Sequence, residues 1–431
     1  MTDYINQDLG GADLRGLVDI KSFHIGGVDD EAVERTQLTP KEIVLGESLL
    51  TPGLQTVITF QNMIHLPSGK NFDKFKNQGL FFDLERNFPD KNGNIINFTM
   101  NVMNQTIYRM DNRAFKPLNV SSTEEFSIHA CHPTLLMDAK DLVSKSWKCV
   151  KPTDIVEHIF TKCLGLGPNQ YTIDPAESKR DYIAENIHPF QVINQQASVA
   201  LYQGHPDYVH FMTYAWNTGG DVKHHFRSLR SLCNQSPVAT YYPADAGLGI
   251  ENNAAYGGYM NPQAAISFEF PCDFDILSDA LNGIDENGQD RNTIATVNPV
   301  LGQFFTKAQT TDCGIGQYNY KLAISNADST KQQDSCNLDV EKHLLERQAR
   351  MSLLDRDKIA LRMVVPWNSD LHAGKIIQFL WPNKYDDNSW VYGQGTYLIT
   401  SLTHVIRYGG FSTTSIDCVT NTAGLGLTGR A

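Results

Sequence analysis

The sequence predicts a mainly β protein in which two tube-like antiparallel β-barrels flank an inserted α+β unit. Residues 359–420 alternate apolar and polar side chains in runs separated by glycine-marked turns. Residues 1–115 show a similar alternation of strands and turns, whereas helical periodicity is found between these two β-rich stretches. We therefore predict that the second barrel is discontinuous, and that the chain carries two inserted domains.

The first barrel is predicted from residues 1–115. Its strand candidates are rich in β-branched and aromatic residues and cover 43–45, 55–63, 80–85 and 95–108. Proline and glycine separate them, as in Thr51-Pro52-Gly53. Strands joined by short turns of this kind are expected to pair antiparallel.

Residues 116–205 are predicted to form the α+β insert. Ile155, Ile159 and Cys163 recur at every fourth position, as one face of a helix would. A second helix is predicted to begin near Pro189, because proline in the first helical turn loses no needed hydrogen bond.

The second barrel is predicted from two separated stretches, 206–239 and 338–431. The runs Tyr208 to Trp216 and Val222 to Leu229 surround a glycine-containing turn and predict a hairpin. An isolated hairpin is only marginally stable, so we expect this one to join the strands of 359–420 in one discontinuous domain. Residues 338–357 predict a charged linking helix. The polar, Asn- and Gly-rich stretch 240–337 predicts a loop-rich insert with short strands at 265–270 and 318–324.

Composition limits the classes of function. The chain has 431 residues, enough for about three domains. Its 48 acidic and 36 basic residues give a formal net charge of −12, which disfavours general adhesion to nucleic acid. The N-terminal residues lack the pattern of a signal peptide and no apolar run is long enough to span a membrane, so we expect synthesis in a cytoplasm. The 8 cysteines are scattered and are expected to be reduced.

The best candidates for metal ligands are His129, Cys131 and His132, because imidazole and thiolate groups suit zinc. No fourth ligand follows at a recognisable spacing, so two histidines beside a buried cysteine is the favoured interpretation. His224 and His225 are adjacent on a predicted strand, where their side chains point to opposite faces. We therefore predict no metal, no cofactor and no catalytic residue.

Other motifs are equally weak. Residues 88–94 and 285–288 resemble calcium loops but lack the required glycine and acid positions, and they are better explained as turns. Gly393-Gln394-Gly395 lacks the third glycine and the following helix of a dinucleotide site. A glycosidase pair of carboxylates has no local motif to support it. Four tryptophans could stack on sugars, although strand tryptophans more often pack in cores: Trp216, Trp367, Trp381 and Trp390.

The order of these parts resembles the baseplate hub protein of contractile-tailed bacteriophages. The resemblance spans most of the chain, although each motif in it is short. It rests on Ser146-Trp147-Lys148, the stretch Pro152-Thr153-Asp154-Ile155-Val156, the helix led by Pro189, the hairpin ending in 225–229, and the segments 395–399 and 410–414.

This resemblance implies a structural protein without catalytic residues. Hub proteins of this family are homotrimers with two barrels per subunit, and they form a pseudo-sixfold ring between the hexameric tail tube and the trimeric central spike. The implied partners are therefore a second and third copy of the chain, the tail tube protein and the spike protein, with tape-measure and baseplate wedge proteins as further candidates. DNA passes through the lumen of such a ring without specific binding, and no membrane contact is implied.

The predicted function is that of a virion tail subunit, assembled in the host cytoplasm. Two alternatives remain open from the sequence. One is a virion-associated protein that binds or degrades cell-wall polysaccharide, and the other is the hub of a contractile injection system that is not a phage.

Overall fold

The architecture is that of a mainly β protein with short helices in its middle part, as predicted. The structure is a computed structural model that describes residues 18–25, 39–62, 77–89, 95–112, 124–177, 179–215, 221–243, 264–271, 292–298, 303–309, 320–324, 347, 351, 354, 360–380, 393–407 and 411–420.

Six antiparallel strands form what we call the N-terminal sheet, in the spatial order β1-β4-β5-β6-β3-β2. They are β1 (Asp19–Ile25), β2 (Thr39–Ser48), β3 (Gln55–Asn62), β4 (Gly79–Pro89), β5 (Ile95–Asn112) and β6 (Glu124–Cys131). Alternating residues such as Ile43, Leu45 and Ile58 are fully buried, as the period of a strand requires. Strand β6 comes from the stretch that we had assigned to the α+β insert.

The insert contains α1 (Pro133–Lys140), β7 (Val143–Val150), α2 (Pro152–His158), β8 (Tyr171–Ile173), β9 (Arg180–Ile187) and α3 (Pro189–Ala197). A π-helical turn, Ile159–Cys163, continues α2. Each of the three helices has proline in its first turn, where no hydrogen bond is lost. The two predicted helices are confirmed, and their apolar faces are buried at Ile155, Ile159 and Ile193.

The predicted hairpin is confirmed, and it belongs to a small sheet of its own. Strands β10 (Tyr208–Ala215) and β11 (Asp221–Ser228) are antiparallel, and a short helix, α4 (Leu229–Cys233), follows. Strand β11 pairs in parallel with β8, which gives a separate 3-stranded sheet in the order β10-β11-β8. The three-residue strand β8 from the insert thus supplies the third strand of this sheet, while Val209 and Phe211 of β10 share a core with residues of 359–420.

The remaining strands build the second barrel and a small separate sheet. They are β12 (Ala239–Pro243), β13 (Ala264–Ala265), β14 (Ser267–Glu269), β15 (Asn292–Asn298), β16 (Gln303–Gln309), β17 (Tyr320–Ile324), β18 (Leu361–Pro366), β19 (Ile376–Phe379), β20 (Gly395–Arg407) and β21 (Thr413–Val419). Among the described strands, β15, β16 and β17 pair only with each other.

The second barrel closes through the segment 264–269. Strand β12 pairs with β19 on one side and with β13 on the other, while β14 pairs with β18. Strands β13 and β14 are separated only by Ile266. The barrel is therefore closed, with the strand order β12-β19-β20-β21-β18-β14/β13 and β13 paired with β12. Part of the stretch predicted as a loop-rich insert is thus a wall of this barrel.

A single pair of strands joins the N-terminal sheet to the second barrel. Residues 42–48 of β2 pair antiparallel with residues 401–407 of β20. The two β units consequently share one continuous 13-stranded sheet.

Several other predictions fall partly on the described residues. Arg347 and Met351 are helical, as expected for the linking helix, and the rest of that helix lies outside the described residues except for Leu354. Cys131, Cys163, Cys233 and Cys418 form no disulfide, but Cys149 does, which the sequence did not lead us to expect. Among the described residues no helix has the length and apolar character needed to cross a membrane.

Gly374 is expected to tolerate no side chain. Its φ is +81°, and a Cβ there would lie 2.9 Å from the Cζ of Phe211 on β10. We expect Gly374→Ala to lower the free energy of unfolding by about 1–3 kcal/mol, measured by urea denaturation. The matched control is Gly46→Ala on β2, where a Cβ meets nothing within 4 Å. Equal stability of the two variants would contradict this prediction.

Candidate functional site

The candidate functional site is the junction at which strand β10 lies between the N-terminal sheet and the second barrel. Nearly all of β10 is buried, on both faces. Tyr208, Met212 and Tyr214 belong to the core of the N-terminal sheet and insert, whereas Val209 and Phe211 belong to a core shared with the second barrel. Since neighbouring side chains of a strand point to opposite faces, β10 stabilises both units at once.

Glu47 is the central polar residue of this junction. It occupies the inward-facing position of β2 that follows Ile43 and Leu45, and its side chain is fully buried. One carboxylate oxygen accepts hydrogen bonds from the backbone N–H of Tyr214 (2.8 Å) and from Nδ1 of His372 (2.9 Å). The other accepts from the backbone N–H of Ala373 (2.8 Å). A buried carboxylate is stable only with partners of this kind, and here they come from β10 and from the loop before β19.

A second set of hydrogen bonds ties β10 to the N-terminal sheet. The hydroxyl groups of Tyr214 and Thr56 lie 3.1 Å apart, and the Tyr214 hydroxyl donates to the carbonyl of Gln55 (3.2 Å). The Thr56 hydroxyl also lies 3.3 Å from Oε1 of Gln105, to which it donates. Burial raises the pKa of Tyr214 above its ordinary value, so its hydroxyl keeps its proton and remains a donor.

Arg347, from the linking helix, binds backbone groups at the start of β10. Its guanidinium donates to the backbone carbonyls of Ala197 (2.7 Å), Tyr208 (3.0 Å) and Pro206 (3.3 Å). Burial lowers the pKa of Arg347 to about 10, so the side chain stays charged at neutral pH. The carbonyl groups at the end of α3 and the start of β10 are thereby satisfied by one residue.

A cluster of buried histidines lies beside the junction, between β10, β11 and the insert. His210 and His224 stack at a ring-centroid distance of 5.6 Å, and Nε2 of His210 lies 3.3 Å from Nδ1 of His224. His132 lies 6.4 Å from His224, and Phe160 and Phe190 pack against the pair. Burial lowers the pKa of His210 to about 3 and that of His224 well below its ordinary value. Both rings are therefore neutral, and one N–H donates to the other ring.

The structure separates the three predicted metal candidates. His132 caps α1, since its Nδ1 accepts from the backbone N–H of Thr134 (3.4 Å) and lies 2.8 Å from the Thr134 hydroxyl. His129 lies near the ring of Tyr108. Burial raises the pKa of the Cys131 thiol to about 11, which disfavours the thiolate that zinc requires. Over the described part of the chain, no group of three or more His, Cys, Asp or Glu side chains could hold a metal ion.

The other candidate residues from the sequence either have structural roles or lie outside the described residues. Trp367 is fully buried in the core, so it presents no face to a sugar. Gly393 has a φ of +84° and leads directly into β20, with no helix after it. His224 and His225 point to opposite faces of β11, as predicted, and His225 bonds to Thr213. Trp216, Trp381, Trp390 and residues 90–94 and 285–288 lie outside the described residues.

The arrangement is that of a structural junction. Its charged and polar side chains are engaged with backbone groups of three different chain segments, and sequence reasoning missed all of its principal members. One signal for Glu47 was available, because an acid at the inward position of an otherwise apolar strand must find buried partners.

Comparisons with known structures identify the class of fold. A tail protein from Neisseria meningitidis matches with a TM-score of 0.52 at 11% sequence identity, over 94% of this chain and 97% of that one. A 43 kDa tail protein of a prophage from Shewanella oneidensis matches with a TM-score of 0.51 at 10% identity, over 93% of this chain and 98% of that one. No protein-family model and no curated protein sequence matches the chain. The chain has a phage-tail-like fold.

Proposed function

We propose that this protein is the hub subunit of a contractile-tail baseplate. Three copies form a ring in which the N-terminal sheet and the second barrel alternate, so that six similar β units surround a central lumen. The ring joins a hexameric tail tube on one side to a trimeric central spike on the other. DNA passes through its lumen without specific binding.

The observation that carries this proposal is the pairing of β2 with β20. An adaptor between sixfold and threefold structures needs two β units per chain with a fixed relative orientation. A continuous 13-stranded sheet supplies such a connection, and the buried hydrogen bonds of Glu47 reinforce it.

The proposed role is mechanical and involves no catalysis. Glu47 and Arg347 are satisfied by backbone groups and leave no reactive arrangement at the junction. The partners of the ring are the tail tube protein and the spike protein, and the tape-measure and wedge proteins are further candidates. We place the protein in the tail of the virion after assembly in the host cytoplasm.

Light scattering on the purified protein tests the oligomeric state. We expect the mass of three chains, and images of the particle averaged along its axis should show a ring with six similar lobes. A stable monomer at micromolar concentration that is also absent from assembled particles would overturn the proposal. Clearing of a peptidoglycan gel that is lost on substitution of a single Asp or Glu would favour an enzyme instead.

A further inference from the structure

A group of basic side chains lies on the exposed side of the insert, away from the β2–β20 connection. Lys145 extends from β7, His158 ends α2, and Lys162 lies in the π-helical turn. Nζ of Lys145 lies 3.0 Å from Nε2 of His158 and 5.3 Å from the centroid of the Trp147 ring. Two cations and an imidazole thus share one small area on a chain whose net charge is −12.

Three carboxylates of the insert are hydrogen-bonded to uncharged groups. Glu157 accepts from the Tyr171 hydroxyl (3.0 Å), and Asp181 accepts from the backbone N–H of Cys149 (2.7 Å). Asp138 accepts from the backbone N–H of Phe190 (2.6 Å). Among the described residues, neither Lys145 nor Lys162 forms an ion pair. No direct ion pair therefore neutralises either of these two lysines in the described part of the chain.

The two lysines affect the pKa of His158. Burial lowers the pKa of His158, and the charges of Lys145 and Lys162 lower it further. At neutral pH the ring is neutral, so its Nε2 accepts a hydrogen bond from the Lys145 ammonium. An anion placed between the two lysines would reverse the balance and favour the protonated ring.

Two exposed apolar side chains lie on α1 and at the start of β7, the strand that carries Lys145. Leu142 immediately precedes β7 and is 49% exposed, and Met137 on α1 is 41% exposed. Asp141 and Lys145 both act on the pKa of Cys163, so the end of α1, the start of β7 and the π-helical turn meet here. A ligand that combines a negative charge with an aliphatic group would match both features.

We propose that Lys145, His158 and Lys162 form a docking site for a carboxylate of an acidic protein segment, whose neighbouring aliphatic side chain covers Leu142 and Met137. The proposal does not rest on the trimer. A nucleic acid is the less favoured ligand, because the net charge of −12 repels a long polyanion, whereas a short segment carries few charges.

Calorimetric titration of the full chain at pH 7 with a synthetic peptide of alternating Glu and Leu tests this proposal. We expect binding that weakens with added salt and is accompanied by proton uptake, detected by comparing two buffers of different ionisation enthalpy. Lys145→Gln and Lys162→Gln should each weaken the peptide affinity by about tenfold, since each removes one charge-assisted contact.

The matched control is Lys148→Gln, which removes an exposed lysine from the same strand and should leave peptide affinity unchanged. Thermal unfolding of each variant reports whether the insert remains folded, and His158→Gln should abolish the proton uptake while retaining binding. Tighter binding of a single-stranded oligonucleotide than of the peptide would overturn the proposal. The proposal would also be overturned if the wild type showed no peptide binding at millimolar concentration, or if Lys145→Gln and Lys148→Gln bound the peptide with equal affinity.

Discussion

Replacement of Glu47 by alanine is expected to lower the free energy of unfolding by about 3–5 kcal/mol, because it leaves several buried donors without an acceptor. The substitution removes the acceptor for the backbone N–H groups of Tyr214 and Ala373 and for the His372 ring. These donors lie on different segments, so we also expect looser contact between the N-terminal sheet and the second barrel. Urea denaturation followed by circular dichroism measures the first effect, and amide exchange of β2 and β20 measures the second.

Glu42→Ala is the matched control for Glu47→Ala. Glu42 lies on the same strand and bonds to Arg407 across the same β2–β20 pairing, but that contact is exposed. Exposed ion pairs contribute little, so the control should change the free energy of unfolding by less than about 1 kcal/mol. If the two variants were equally stable, Glu47 would not have the central role assigned to it here.

Acid is expected to destabilise the fold through its buried histidines. Burial lowers the pKa of His210 and of His404 to about 3, and the pKa values of His224 and His225 are also well below the ordinary value. In the unfolded chain a histidine binds its proton near pH 6.5, whereas these folded rings remain neutral. The unfolded state therefore binds more protons, and stability falls as the pH drops below about 6.5, by about 1.4 kcal/mol per pH unit for each such histidine.

The slope of unfolding free energy against pH, between pH 6 and 4, measures this effect. His210→Gln keeps a polar atom near the position of Nε2, and His404→Asn keeps one near Nδ1, which lies 2.9 Å from the Thr414 hydroxyl. Each variant should reduce the slope by the contribution of one proton, whatever its effect on stability at neutral pH. Above pH 7.5 the variant and wild-type curves should run parallel, and unchanged slopes between pH 6 and 4 would contradict the prediction.

The local elements of this fold could be predicted from the sequence. Alternation predicted β2 to β5 and the antiparallel pair β20–β21, and Pro189 marked the start of α3. These signals are local, since burial of one face and the geometry of proline act within a few residues. The mainly β class follows from them directly.

The long-range pairings could not be predicted in the same way. Alternation in β10 indicates which side chains are buried but does not indicate which strand forms the hydrogen bonds. Val209 and Phe211 do pack against the second barrel, yet the three-residue strand β8 provides the pairing. Segment 264–269, which closes the second barrel, was predicted as a short strand, but its sequence does not indicate that it pairs with β12 and β18.

The candidate site escaped prediction for a related reason. Among the three metal candidates, only His132 lies near the buried histidine cluster, and its neighbours there, His210 and His224, come from strands of a distant hairpin. The partners of Glu47 are separated from it by 167 to 326 positions in the chain. No spacing rule connects residues that far apart.

The pairing of strand β20 determines how the molecule would respond to mechanical force. It pairs along one edge with β21, while its other edge is divided between β19 and β2. A pull along these strands would shear all the pairs between residues 42–48 and 401–407 together, because antiparallel hydrogen bonds lie perpendicular to the strand direction. A force on one β unit is thus transmitted to the other through many hydrogen bonds in parallel, and the two units would move as one rigid body.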